Sequence, residues 1–190
     1  MTNRLTAAVL ALALALPGAL AAAPKQLTPA NPQPGSLSPG LAVNYAIPNE
    51  VRTLYDAQKA LEKRALKGDP LVGLSYKDTS EGDPVLTTKF AYKVAAHIKG
   101  YIRFDAPGEY KVNFLSNDGV RVNIGGQQVA EYDDIHACEA TGWQSVQVPQ
   151  AGWYEIETLY FQRKGTSCLM MQWQAPGQKA SYVPNSAFGH

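Results

Sequence analysis

The chain has 190 residues, 45% of them hydrophobic and 17% charged, where an average soluble domain is roughly a quarter charged. Its 17 Lys and Arg nearly cancel its 16 Asp and Glu, for a formal charge of +1. That balance excludes a polybasic clamp for nucleic acid and an acidic tail, and the apolar content excludes wholesale disorder and suffices for one buried core.

The first segment reads as an export signal. Arg4 supplies a short positive region, Leu5 to Leu16 is nearly all Leu and Ala, and Pro17-Gly18 breaks the run. Ala19-Leu20-Ala21 then fits the small-x-small rule, so cleavage is expected after Ala21. A membrane-spanning helix needs about 20 apolar residues, which this run does not supply. Residues 1–21 are therefore expected to be removed. The mature protein is expected in the periplasm or outside the cell, without a transmembrane segment. Losing Arg4 leaves 16 positive against 16 negative residues.

Residues 22–39 contain Pro24, Pro29, Pro32, Pro34 and Pro39 among Gln, Thr, Ser and Asn. Such a stretch builds neither a helix nor a central strand and reads as an extended, solvated tether, with packing as an extra strand left open by the sequence. From Asn49 to Lys67 the apolar residues Val51, Leu54, Tyr55, Leu61, Ala65 and Leu66 fall at helical spacing. Asn49 is the expected N-cap and Gly68 the expected C-terminal cap of one accessory amphipathic helix.

Beyond Phe90 the period changes to two. Tyr110, Val112 and Phe114 alternate with polar residues, as do Val120, Val122 and Ile124. The pattern returns in Tyr154, Ile156, Thr158 and Tyr160, and again in Leu169, Met171 and Trp173. Turn residues separate the runs at Ala106-Pro107-Gly108, Asn117-Asp118-Gly119, Gly125-Gly126, Ala151-Gly152 and Lys164-Gly165. Short strands at this spacing describe an all-β, antiparallel sandwich or barrel, here a single domain over residues 40–190.

The two cysteines, Cys138 and Cys168, lie in no CxxC arrangement, and only His97, His136 and His190 could assist a thiol or a metal. An exported chain permits pairing, so a disulfide is expected in preference to a thiol nucleophile or a metal pair. Hydrolase, zinc-protease, P-loop and Rossmann signatures are absent, and the adjacent Asp133 and Asp134 diverge if the segment is extended. The chain reads as a non-enzyme.

The order of several motifs resembles a known family. They are Gly40-Leu41 with Val43 and Tyr45, Gly100-Tyr101-Ile102-Arg103-Phe104, Ala106-Pro107-Gly108-Glu109-Tyr110 and Ser116-Asn117-Asp118-Gly119-Val120. Further on stand Ile124-Gly125-Gly126-Gln127, Ala151-Gly152-Trp153-Tyr154, Gln172-Trp173 and Val183-Pro184. Together they are similar to the protective-antigen-type (PA-fourteen) β-sandwich of bacterial toxins, glycosidases and fungal adhesins. The resemblance implies a carbohydrate or polysaccharide ligand held at one end of the sandwich, with a surface or secreted protein as the alternative partner. In lectin members two successive Asp hold calcium, which coordinates sugar hydroxyls. The matching pair here is Asn117 and Asp118, one charge short, with Gly125-Gly126 where Asp-Gly is usual. Arg163 and Lys164 stand in the loop that would complete the site. Calcium is thus the one cofactor the resemblance raises. The expected ligand-binding residues are Asn117, Asp118, Asp133, Asp134, His136, Glu139, Trp143 and Gln162, with Tyr132 or Trp143 as a stacking surface.

Overall fold

A computed structural model describes residues 23–190. The export signal expected at residues 1–21 lies outside the described residues. In chain order the elements are β1 (Lys25–Gln26), β2 (Ala42–Ala46), α1 (Leu54–Lys63), β3 (Leu66–Lys67), β4 (Ser75–Tyr76), β5 (Val94–Phe104), β6 (Gly108–Asn117) and β7 (Val120–Ile124). Then follow β8 (Gln127–Tyr132), β9 (Glu139–Ala140), β10 (Gln144–Val148), β11 (Gly152–Gln162), β12 (Cys168–Gln174), β13 (Ser181–Tyr182) and β14 (Phe188–Gly189).

The strands form two sheets. One runs β1-β10-β6-β12-β13, with β4 on β12 and β9 on β6. The other runs β3-β2-β5-β11-β7-β8, with β14 added to β5. Every pairing is antiparallel except β1 with β10. The alternation seen in the sequence is the alternation of burial: Tyr154, Ile156, Thr158 and Tyr160 of β11 all face inward. They meet Phe104, Phe114, Ile98 and Val122 between the sheets. Phe104 packs edge-on against Tyr110 and Tyr154 at 4.8 and 5.3 Å, the geometry that the ring quadrupoles favour.

The Pro-rich segment is not a solvated tether along its length. Lys25 and Gln26 pair with Val146 and Gln147, and Leu27 is buried in the core at 1% exposure. Parallel pairing on an edge strand needs only Lys25 to Leu27, which lie between Pro24 and Pro29 and keep their N–H groups. The chain then crosses the β7–β8 turn, where Thr28 N–H donates to the Gly125 carbonyl at 2.9 Å. Gly125 has φ +53°, and a Cβ there would lie 2.7 Å from the Thr28 carbonyl oxygen, so glycine serves both the turn and the crossing. Farther on, the Gln33 carboxamide brackets Trp153, accepting from its N–H at 2.8 Å and donating to its carbonyl at 3.0 Å.

The helix is shorter than its apolar spacing suggests. Its N-cap is Thr53, not Asn49: the Thr53 hydroxyl accepts from Asp56 N–H at 3.1 Å, and Asp56 accepts from Arg52 N–H at 3.0 Å. It ends at Lys63 because Leu66 and Lys67 pair with Tyr45 and Asn44. Gly68 N–H continues that pairing by donating to the Val43 carbonyl. Leu54 and Ala57 bury against Ala46, Val51, Ala95 and Phe161, a small second core on the outside of the β5–β11 sheet. Thr53→Ala should remove the cap and lower stability by about 1 kcal/mol, read from the denaturant midpoint at unchanged slope.

Candidate functional site

Three connections meet at one end of the sandwich. The β6–β7 turn carries Asn117 and Asp118, the β8–β9 loop carries residues 133–138, and the β11–β12 loop carries residues 163–167. Tight alternation in β6 and β7 forces the turn to Asp118-Gly119, and Gly119 admits the Phe161 ring: a Cβ there would lie 2.3 Å from it.

Asp118 is the hub. Its side chain is buried at 2% exposure, and its two oxygens accept from His136 N–H at 3.2 Å and Arg163 N–H at 2.6 Å. Burial pushes its carboxyl above the ordinary carboxylate value, against the pull of those two donors. Asn117 donates to the Thr166 hydroxyl at 2.9 Å, and its carbonyl accepts from the buried Tyr160 hydroxyl. Gln162, fully buried, donates to the Thr166 carbonyl at 3.2 Å. The disulfide Cys138–Cys168 ties the end of the β8–β9 loop to the start of β12. Loop positions come from the Asp118 carboxylate, the Asn117 and Gln162 bonds to Thr166, and one covalent link.

The other expected residues separate into two groups. Asp133 accepts from Leu54 N–H at 2.7 Å, so it caps helix α1, where a carboxylate meets unpaired amides and the positive end of the helix dipole. Asp134 closes its own turn by accepting from Ile135 N–H at 2.7 Å. Tyr132 and His136 stack with centroids 3.7 Å apart and planes at 11°. The Tyr132 hydroxyl donates to Glu139 at 3.1 Å, and this carboxylate holds the phenol above its ordinary value. The pair is half-buried, with Asp134, Ile135 and Glu139 exposed around it. Trp143 stands apart. It is 46% exposed and lines a separate hollow of about 230 Å³ with Lys25 of the edge strand β1, Gln128 of β8 and Thr141. Thr166 and the Arg163 amide escaped the sequence reading because their contribution is made by backbone or by a hydroxyl that no motif marks.

The PA14 domain profile matches residues 61–187. The chain belongs to the PA14 domain family. The PA14 domain of the antifreeze protein MpAFP is similar in structure, with a TM-score of 0.68 and 19% identity over 82% of this chain and 92% of that one. A PA14 sugar-binding domain from an RTX adhesin gives 0.63 and 15% identity over 80% and 98%. The epithelial adhesin 6 A domain of Candida glabrata, in complex with Galβ1-3GlcNAc, gives 0.67 and 12% identity over 87% and 92%. Among curated proteins, none matches the chain in sequence. At these identities the likenesses establish the sandwich.

The calcium expected from the resemblance can be tested on the donors of this PA14 domain. The ion takes about six to eight oxygen ligands. Asp118 already spends each oxygen on a backbone N–H, and Asn117 turns its amide nitrogen to Thr166. The Arg163 guanidinium, paired with Glu50 at 2.6 Å, adds positive charge nearby. Asn117 and Asp118 together offer three side-chain oxygens, short of the roughly six to eight that the ion usually takes. Asp118 itself draws the two loops to one point through His136 N–H and Arg163 N–H. Among the described residues, the single cluster with metal-ligand spacing is Asp78 with Cys138 and Cys168, whose sulfurs are consumed in the disulfide.

Proposed function

We propose that this PA14 domain is an exported, non-catalytic module that binds a glycan or polysaccharide at the loop end of the sandwich. Residues 1–21 direct it across the membrane, and it acts in the periplasm or outside the cell. No helix of the described residues is long and apolar enough to cross a membrane.

One observation carries the reading. A stacked Tyr132–His136 pair stands beside exposed Asp134 and Glu139, on loops pinned by Asp118 and by the disulfide. A pyranose has an apolar face and polar edges, so a ring surface flanked by carboxylate acceptors is its complement. Rigid loops spare the ligand the cost of ordering them. Further support comes from the sugar-binding RTX adhesin domain and the Candida glabrata adhesin bound to Galβ1-3GlcNAc. In this assignment Tyr132, Asp134, His136 and Glu139 face the ligand. Asn117, Asp118, Asp133 and Gln162 are the frame.

The test is a glycan array probed with the protein in buffer, in chelator and in calcium. Binding to a defined glycan set, unchanged by chelator and mostly lost in Tyr132→Ala, is expected. No binding to any glycan under any condition would overturn the proposal. Binding that vanishes in chelator and returns with calcium would overturn its metal-free form.

A further inference from the structure

Helix α1 covers only one end of the outer face of the β2-β5-β11-β7 sheet. Ala95 and Phe161 lie under it, but the next outward positions on the same strands, His97 and Leu159, are only half-buried. Strand register sets Asn44, His97, Leu159 and Arg121 in one row across the four strands. The adjacent row holds Glu157 and Asn123, with Lys99 beside Glu157. Gln58, Leu61 and Glu62 of the helix rise alongside, enclosing a groove of about 450 Å³. Small-ligand sites typically run from about 300 to 1,000 Å³.

The chemistry of the groove restricts its occupant. Its charges are already paired: Glu157 meets His97 at 2.6 Å and Lys99 at 3.0 Å, Arg121 meets Glu131 at 2.6 Å, and Lys59 meets Glu62 at 2.7 Å. Burial raises the Glu157 carboxyl, but the hydrogen bonds from Lys99 and His97 more than offset this and hold it below the ordinary value. Neither sign is in surplus, so the groove has no preference for a phosphate or a free cation. The Asn44 and Asn123 amides line it and make no side-chain hydrogen bond with the described residues. Each offers both donor and acceptor. Leu61 and Leu159 supply an apolar surface between these polar edges.

We propose that this groove is a second ligand site, remote from the loop end, which takes a neutral saccharide unit. Asn44 and Asn123 exchange hydrogen bonds with hydroxyls, Glu157 accepts from another, and Leu61 and Leu159 meet the C–H face. The site uses none of the loop-end residues and stands whether or not those loops bind sugar. An aliphatic floor in an open groove makes a weak site, with dissociation constants in the millimolar range.

The experiment is backbone-amide NMR on the full chain, titrated separately with methyl β-galactoside, methyl β-glucoside and methyl α-mannoside. Saturable shifts at His97, Arg121, Asn123 and Leu159 are expected with at least one of them. The double variant Asn44→Ala, Asn123→Ala should weaken that response about tenfold, since two hydrogen bonds are lost at half-exposed or exposed positions. Leu159→Trp, which fills the groove, should abolish it. Absence of saturable groove shifts up to the solubility limit of all three glycosides would overturn the proposal. So would shifts that persist unchanged in both variants. Shifts confined to Tyr132 and His136 would overturn the groove and support the loop end. Shifts confined to the groove would support it independently of the loop end.

Discussion

A Cys138→Ser, Cys168→Ala variant is expected to melt roughly 6–16 °C below the oxidised protein. The link closes a loop across a sequence separation of 30, which in the chain-entropy account constrains the unfolded chain by about 3–4 kcal/mol. For a domain of this size each kcal/mol moves the midpoint by roughly 2–4 °C. The loop it closes holds β9, β10 and β11, so its release loosens both the β8–β9 loop and the entry to β12. Reduced wild type, with thiols verified by alkylation, should melt beside the variant. An unchanged midpoint after verified reduction would show that the link does not stabilise the fold. If the loop end binds glycan, the same variant should also lose affinity, because His136 lies on the tethered loop and stacks on Tyr132 at the end of β8.

Asp118→Ala should cost about 2–6 kcal/mol, the second large effect. The carboxylate is buried, and its removal leaves the His136 and Arg163 N–H groups without their partner in a place water reaches poorly. Each unsatisfied buried donor costs about 1–3 kcal/mol. Asp118→Asn should be milder, because its amide oxygen still accepts one of the two bonds. Denaturant unfolding measures both. Equal stability of Asp118→Ala and wild type would mean that the loops hold each other without the carboxylate. Amide exchange at His136 and Arg163 gives a local readout, and protection there should fall in Asp118→Ala even where the core is unaffected.

The strands with one buried face were legible because their period is a direct consequence of the pleat. Cys168 to Met171 of β12 are buried on both faces, whereas β7, most of β11 and the first half of β6 announce themselves by that period. The first half of β5 does not. Val94 and Ala96 face the main core, but Ala95 between them lies under α1, so both faces are apolar and the alternation disappears. The helix bounds were blurred for a related reason. Ala65 and Leu66 continue the helical spacing, yet Leu66 and Lys67 find partners in β2, and a sequence window contains no record of that competition. Leu27 was hidden among prolines, whose composition argues for solvation until a parallel edge position accepts the few residues between them.

Site residues divide in the same manner. The motif around Asn117-Asp118 located the loop end, and the lone cysteine pair located its staple. Burial decided which side chains remained free. Asp133, equal to Asp134 in sequence, is spent on the first N–H of α1, some 79 positions earlier in the chain. Trp143 is only five residues from Cys138, but the β9–β10 connection sets it against Lys25 and Gln128, in a separate hollow.

By itself the amino-acid sequence determined the all-β class, the strands that face one core, the disulfide and the PA14 motif order. These follow from local periodicity, turn chemistry and residue inventory, which act between near neighbours. Tertiary structure alone decided that Asp118 clamps two loops in place of presenting a carboxylate to solvent. It alone set Asn44, His97, Leu159 and Arg121 in one row. Such arrangements depend on the register of strands distant in the chain, and a shift of one residue would turn every one of those side chains to the opposite face.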